Sequence, residues 1–471
     1  MFTTAHLFDK PAGLSWMSFV SMRQQAAKSR SSGLAAMVLA MAMPVTASEY
    51  KPLRFEEDWR ASCNKIAPKC WRIGEAATLI FGADARVRTE YLRPLDFGIG
   101  SPGSDNFTLF RGLMHGDLRV GKHVQAFVQL GAYDETGRAG GPVSTDQSRP
   151  ELQQGFLAWN GDMFSLRVGR QEMTLGTSRL VSVREGPNIR LAFDGVRASW
   201  SRGSHRIDGF AFRPVLNRPG AFDDSANKSQ AFYGLYATLA PERIAPLKVD
   251  LYWLGYERDQ GSFAAAQGRE HRHSFGTRLF GSAKGWDWNY EAVFQSGHVG
   301  DQTIHAWTVS SDTGFTFTNV PWSPRLNLKA DIASGDKNPN DGRLGTFNAL
   351  YPNPTYLSEA ALLAPGNIMD LNPALTVKPI PSLKLVLGWD FLWKHHKEDA
   401  VYTPPAPLVV IPETIGTDRY IGDQIRLEST YRLSPQWEMR AAAVHFRAGE
   451  ALTQAGGRSV TFLMTSLAFR W

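Results

Sequence analysis

The chain has 471 residues, 43% of them hydrophobic and 20% charged, which is too much apolar content for a disordered protein. Beyond the N-terminal region no apolar run reaches the roughly 18 residues of a spanning helix, so a helical membrane protein is excluded. Residues 1–47 hold Lys10, Arg23, Lys28 and Arg30 against Asp9, so a net +3 of the formal +6 lies there; the +3 left over is too small for a nucleic-acid-binding protein.

The chain opens with an export signature. Met22–Arg30 is a basic stretch, Gly33–Met43 is apolar, and Val45-Thr46-Ala47 is a small-residue cleavage site, so residues 1–47 read as upstream sequence and a secretory signal peptide. Met22 would by itself give a signal of ordinary length. Residues 48–77 follow as an N-terminal periplasmic segment, where Cys63 and Cys70 are spaced for a small disulfide loop in an oxidising compartment. No further ligands stand nearby, so neither a metal nor a cofactor is expected.

From residue 78 to 471 the dominant signal has period two. Phe81, Ala83, Ala85, Val87, Thr89 and Tyr91 share one face, and Asp84, Arg86, Arg88 and Glu90 the other. Strands are expected at 78–91, 107–120, 122–133, 151–160, 163–173, 190–202, 204–213, 229–240 and 246–257. The second half continues with 270–281, 285–297, 302–318, 323–335, 370–380, 381–396, 418–433, 435–448 and 458–471. These are longer than the usual 5–6 residues of globular strands, and many apolar faces end in Trp, Tyr or Phe. Tight turns such as Asn160-Gly-Asp162 and Ser434-Pro-Gln436 alternate with long polar loops, the longest at 336–369. A soluble sandwich has no reason to alternate its connections. The pattern predicts an all-β, transmembrane, antiparallel up-and-down β-barrel of about 18 strands with short periplasmic turns and long extracellular loops, in the outer membrane of a Gram-negative bacterium.

If the apolar faces meet lipid, the charged faces line a polar lumen. By phase, Arg86, Arg88, Arg167, Arg197, Arg278, Lys329 and Arg426 point inward, interleaved with acids such as Asp84, Asp250 and Asp331. Basic rings in pores select anions, and interleaved acids keep the affinity low. Asp336-Lys-Asn-Pro-Asn-Asp-Gly342 resembles a calcium loop but lacks Gly at its sixth position and Glu at its twelfth, so Asx turns are expected there. His271, His273, His395 and His396 sit at strand ends, and no nucleophile elbow, zinc motif or phosphate loop occurs. No enzymatic activity is expected; a barrel hydrolase is a distant alternative. The terminal Leu463-Met-Thr-Ser-Leu-Ala-Phe-Arg-Trp471 resembles the signal by which barrel-assembly machinery recognises its clients.

Phe164-Ser-Leu-Arg-Val-Gly-Arg-Gln171, Arg190-Leu-Ala-Phe-Asp-Gly-Val-Arg197, Ala333–Pro352 and Asn367-Ile-Met-Asp-Leu-Asn-Pro373 together resemble the alginate-export family of outer-membrane barrels. The resemblance implies a monomeric 18-stranded barrel whose arginine-lined constriction passes a polyuronate outward. It nominates Arg167, Arg170, Arg190 and Arg197 as constriction residues, with Arg170 turned inward by a bulge at Gly169. The expected cargo is an anionic polysaccharide; the alternative is a porin taking up small organic anions or oligosaccharides.

Overall fold

The computed structural model describes residues 50–63, 69–100, 103–404 and 409–471, so the expected signal peptide lies outside the described residues. Long antiparallel strands follow one another along the chain: β1 (Ala77–Arg93), β2 (Asp105–Val120), β3 (Val124–Thr136), β4 (Ser148–Asn160), β5 (Phe164–Glu172), β6 (Ala192–Arg202), β7 (His205–Leu216), β8 (Gln230–Leu239) and β9 (Lys248–Ser262). They continue through β10 (Gln267–Ala283), β11 (Trp286–Val299), β12 (Gln302–Thr316), β13 (Arg325–Ala333), β14 (Ile368–Ile380), β15 (Leu383–Lys394), β16 (Tyr420–Arg432), β17 (Trp437–Ala448) and β18 (Val460–Arg470). Each pairs with its neighbours in sequence, and β18 returns to β1 from Asp84↔Arg470 to Arg93↔Thr461, closing an 18-stranded barrel. Every expected strand is present, with boundaries shifted by a few residues.

Side-chain alternation produces the two faces of the wall. On β3, Val128 and Leu130 are exposed, whereas Gln125, Gln129 and Glu135 are buried inside. The outer surface displays Leu157, Leu235, Phe294, Val309 and Leu427, all exposed. Such a surface is stable only against hydrocarbon, because a contiguous apolar band in water would drive aggregation. Aromatic rings border it. At the turn end Trp286 meets Phe315 at 4.9 Å and Trp437 meets Phe469 at 4.8 Å. Toward the loop end Trp389, Phe391, Trp393 and Tyr420 form a continuous file.

The inner face departs from the expectation of a uniformly charged lining. Phe193, Phe212, Phe232 and Tyr256 point inward and are fully covered. Their cover comes from two loops: Met173, Leu175 and Val181 of the β5–β6 loop, and Phe347, Leu350 and Tyr351 of the β13–β14 loop. The loops join through a bridge between Val181 and Tyr351, and the Tyr351 ring packs edge-on against Phe193 and Phe232, 5.2 Å from each. The longest loop therefore folds inward, because inward aromatics in a water-filled lumen need apolar partners. Its Asp336–Gly342 stretch is a run of Asx turns: Asp336, Asn338 and Asp341 accept from the backbone N–H of Asn338, Asn340 and Arg343. Two loop-side connections are short, residues 263–266 between β9 and β10 and Gly300-Asp301 between β11 and β12; the latter relies on Gly300 at φ +53°, where a Cβ would lie 2.4 Å from the Gln267 carbonyl oxygen.

The N-terminal segment differs most from its expected place. A short strand, Cys70–Ile73, pairs with Ala77–Ile80 of β1 on the stretch of edge that β18 leaves open. Cys63 and Cys70 form the expected disulfide. Residues 50–63, however, are no periplasmic appendage: they lie against the lumenal wall, with Phe55 packed on Phe127 and Phe156. An aromatic side chain flanked by buried Arg54 and Trp59 gains more from that apolar pocket than from solvent.

Val309 lies midway along β12, half exposed on the outer face. Val309→Arg should lower unfolding stability in lipid vesicles by about 2–4 kcal/mol, the cost of a charge at the bilayer midplane. Urea titration followed by heat-modifiable migration checks this.

Candidate functional site

Inward-pointing arginines fall into separate groups, each defined by what it holds. The first lies in the middle of the barrel. Arg86 on β1 donates to the backbone carbonyls of Glu185 and Pro187 in the β5–β6 loop, the latter at 3.0 Å. Arg111 on β2 pairs with the Glu185 carboxylate, and Arg190, just before β6, reaches it at 3.3 Å. Three guanidinium groups thus converge on one carboxylate, whose side chain remains 45% exposed to the lumen. Arg190 also pairs with buried Glu172 at 2.9 Å. The local sum is positive.

A second group surrounds the long β13–β14 loop. Arg88 and Arg440 both bind Glu359 of that loop. Arg426 donates to the Leu357 carbonyl at 2.8 Å, and Lys329 stacks on the Tyr356 ring at 3.7 Å while pairing with Asp331 at 3.3 Å. Arg179, from the β5–β6 loop, reaches Glu291 and Asp331 across the lumen, each at 3.2 Å. Arg278 is a wall residue, paired with Asp250 at 2.8 Å and stacked over Phe280. These cations fasten loops to the wall or satisfy wall acids.

The third group rings a chamber of about 430 Å³ at the turn end. Arg119, Lys122, Arg167, Arg197 and Arg206 line it from the wall; Lys51, Glu56 and Arg60 line it from the N-terminal segment. Arg167 and Arg197 sit opposite each other across the β5–β6 ladder. Arg197 pairs with Asp208 at 3.0 Å, an acid that Arg206 shares. Arg167 lies over the rings of Phe55 and Phe156, 4.0 and 4.6 Å away, and its buried Nε has no hydrogen-bond acceptor among the described residues.

The four residues nominated for a constriction are therefore not one cluster. Arg167 and Arg197 share the turn-end chamber, and Arg190 belongs to the mid-barrel group. Arg170 is on the other face of the wall. The β5–β6 register runs from Phe164↔Trp200 to Glu172↔Ala192 without a slip, so no bulge reverses its phase. It makes a two-pronged pair with Asp194, at 2.8 and 3.0 Å, beneath the β7–β8 loop, where it also donates to the Asp224 carbonyl. Gly169 does adopt φ +127°, but the reason is close approach: a Cβ there would lie 2.3 Å from the Gly155 carbonyl oxygen.

The alginate export family model matches residues 77–466, the whole barrel from β1 into β18. This chain belongs to the alginate export family. No curated protein sequence matches it. Among solved structures it is similar to OccAB2 of Acinetobacter baumannii, with TM-score 0.57 and 9% identity over 83% of this chain and 98% of that one. OccK2 (OpdF) of Pseudomonas aeruginosa gives TM-score 0.56 at 12% identity, again over 83% and 98%. OpdK of the same organism, crystallised with vanillate, gives 0.52 at 10% identity with the same coverage. At such identities the likeness is one of fold. Membership and architecture make the protein an outer-membrane channel for anionic solutes, in a Gram-negative bacterium.

For this alginate-export-family barrel, sequence phase missed Arg111, Arg179 and Glu185. Arg111 alternates with Leu109 and Leu113 on its inward face, which disguised the polarity of that strand; the other two lie in a loop without periodicity. Replacing Glu185 by Gln should raise the anion-over-cation permeability ratio, because it removes the exposed carboxylate on which Arg86, Arg111 and Arg190 converge and leaves only buried Glu172 against them. Reversal potential under a KCl gradient measures it. A shift toward cation selectivity would show that the three arginines do not face the conduction path.

Proposed function

We propose that the protein exports an alginate-like polyuronate through this arginine-lined lumen, as a monomer inserted by the barrel-assembly machinery. The supporting observation is the placing of positive charge: a basic chamber at the turn end, where a polymer leaving the periplasm would enter, and a second positive group at mid-barrel. Polycarboxylates are drawn to such charges. Because most of the cations already have an acidic or carbonyl partner, each site holds the polymer weakly enough to release it. A narrow low-dielectric lumen strengthens every charge relative to open water, so a few unneutralised guanidinium groups suffice for selectivity.

A second reading is uptake of small organic anions. It is favoured by the two loops that fold into the barrel and bury an aromatic core beside the lumen. OpdK, crystallised with vanillate, shares the fold, and a small aromatic carboxylate would suit a lumen narrowed in this way.

Planar-bilayer recordings separate the two. Oligouronates of graded length should interrupt the current in events that shorten as the voltage driving them rises, the mark of passage through the pore. Free passage of monomeric carboxylates together with block by longer oligomers that voltage does not relieve would favour uptake. Arg167→Ala combined with Arg197→Ala should lower the anion-over-cation permeability ratio by about two- to fivefold in a folded channel. Arg170→Ala, on the outer face, should leave that ratio unchanged. An unaltered reversal potential in the double variant would remove the turn-end chamber from selectivity.

A further inference from the structure

The N-terminal segment carries three consecutive acids, Glu56-Glu57-Asp58, where it passes the turn-end chamber. Glu56 lines it, Asp58 is exposed beside it, and Glu57 is buried against Arg54 at 2.8 Å. Asp58 makes a close pair with Arg60 at 2.6 Å and lies 3.7 Å from Arg119 of the wall. The backbone is held as well. Arg119 donates to the carbonyls of Phe55 and Glu57, at 3.1 and 2.6 Å, and Gln125 donates to that of Phe55 at 3.0 Å. Higher in the barrel, Arg190 donates to the Pro52 carbonyl at 2.9 Å, and Arg54 pairs with Asp84 at 2.7 Å.

These contacts use the groups that would receive an anionic cargo. Arg119, Arg167 and Arg190 each spend donors or a cationic face on residues 50–63. The segment is covalently tethered next to the barrel by Cys63–Cys70, and Cys70 begins the strand paired to β1. A tethered ligand competes at an effective concentration in the millimolar range, so even weak contacts keep a site occupied. The anchor is one aromatic ring, Phe55, in a pocket made by Phe127 and Phe156.

We infer that Glu56–Asp58 is a built-in pseudo-cargo: a tethered run of carboxylates that occupies a polyanion-binding vestibule at the periplasmic mouth and that a polycarboxylate must displace to enter. Displacement leaves the tether in place and frees Arg119 and Arg167 for the incoming chain. Small anions bring too few charges to win this exchange, so the segment acts as a filter for multivalent cargo as well as a closure. The inference rests on the reading that the cargo is anionic.

The test uses the full-length channel in planar bilayers, with an oligouronate of fixed length added from the turn side. Glu56→Gln with Asp58→Asn removes two exposed carboxylates and leaves the buried Glu57–Arg54 pair and the Phe55 anchor in place. It should lower the half-blocking oligouronate concentration by about tenfold, since apparent affinity falls with the fraction of vestibules already occupied. From the loop side the same variant should be blocked as the wild type is. Phe55→Ala, which loosens the anchor, should raise conductance in KCl. An unchanged half-blocking concentration from the turn side, or an equal change from both sides, overturns the pseudo-cargo role. The wild-type reversal potential tests the underlying reading separately: an anion-selective channel whose block ignores Glu56 and Asp58 refutes this inference alone, whereas a cation-selective channel refutes the cargo class.

Discussion

A backbone crossing lipid has no water to satisfy its N–H and C=O groups, so each must find a partner in the protein. Here the requirement is met by pairing every strand to its sequence neighbours and returning β18 to β1. Closure has a consequence for side chains. Once the edges are gone, the lipid claims one face of each strand and leaves the other free to carry charge. The short Cys70–Ile73 strand shows how far pairing goes: where β18 stops at Arg470, the exposed edge of β1 is covered from the other direction.

Freedom to carry charge does not yield bare charge. A guanidinium left unpaired in a confined lumen faces a desolvation penalty of several kcal/mol, and nearly all of these arginines avoid it by binding carboxylates or loop carbonyls. Arg86 illustrates the carbonyl solution: its guanidinium donates to backbone oxygens that carry no formal charge. The same contact orders the β5–β6 loop. Positive potential and loop anchoring are thus one interaction seen from two sides, and a variant that weakens one disturbs the other.

The strand order was legible because the alternation of lipid and lumen faces leaves a direct mark on sequence, and the alternating connections set the topology. The shared phase of Arg167 and Arg197 was legible, since the β5–β6 ladder keeps a simple register. Arg170 was not, because a glycine permits positive φ without any slip in pairing, and sequence cannot distinguish that from a bulge. The inward aromatics Phe193, Phe212 and Phe232 broke the expected polar lining for a reason outside their own strands: their partners lie in two loops, one of them more than a hundred residues away, as with Tyr351. The acidic run Glu56–Asp58 was passed over in the sequence, because the packing of residues 50–63 against the lumenal wall leaves no local pattern.

Loops and N-terminal segment reach the lumen from opposite ends and meet the same residues. Arg190 contacts Glu185 of the β5–β6 loop and Pro52 of the segment at once. Asp84, on β1 between them, binds Arg54 of the segment two residues from Arg86, which holds the loop. An element that leaves the turn end therefore alters the donors available to the loop above it. Were the segment to leave, Arg190 would lose its Pro52 acceptor and keep Glu185 and Glu172, so this one guanidinium is where the loop and the segment draw on the same donors.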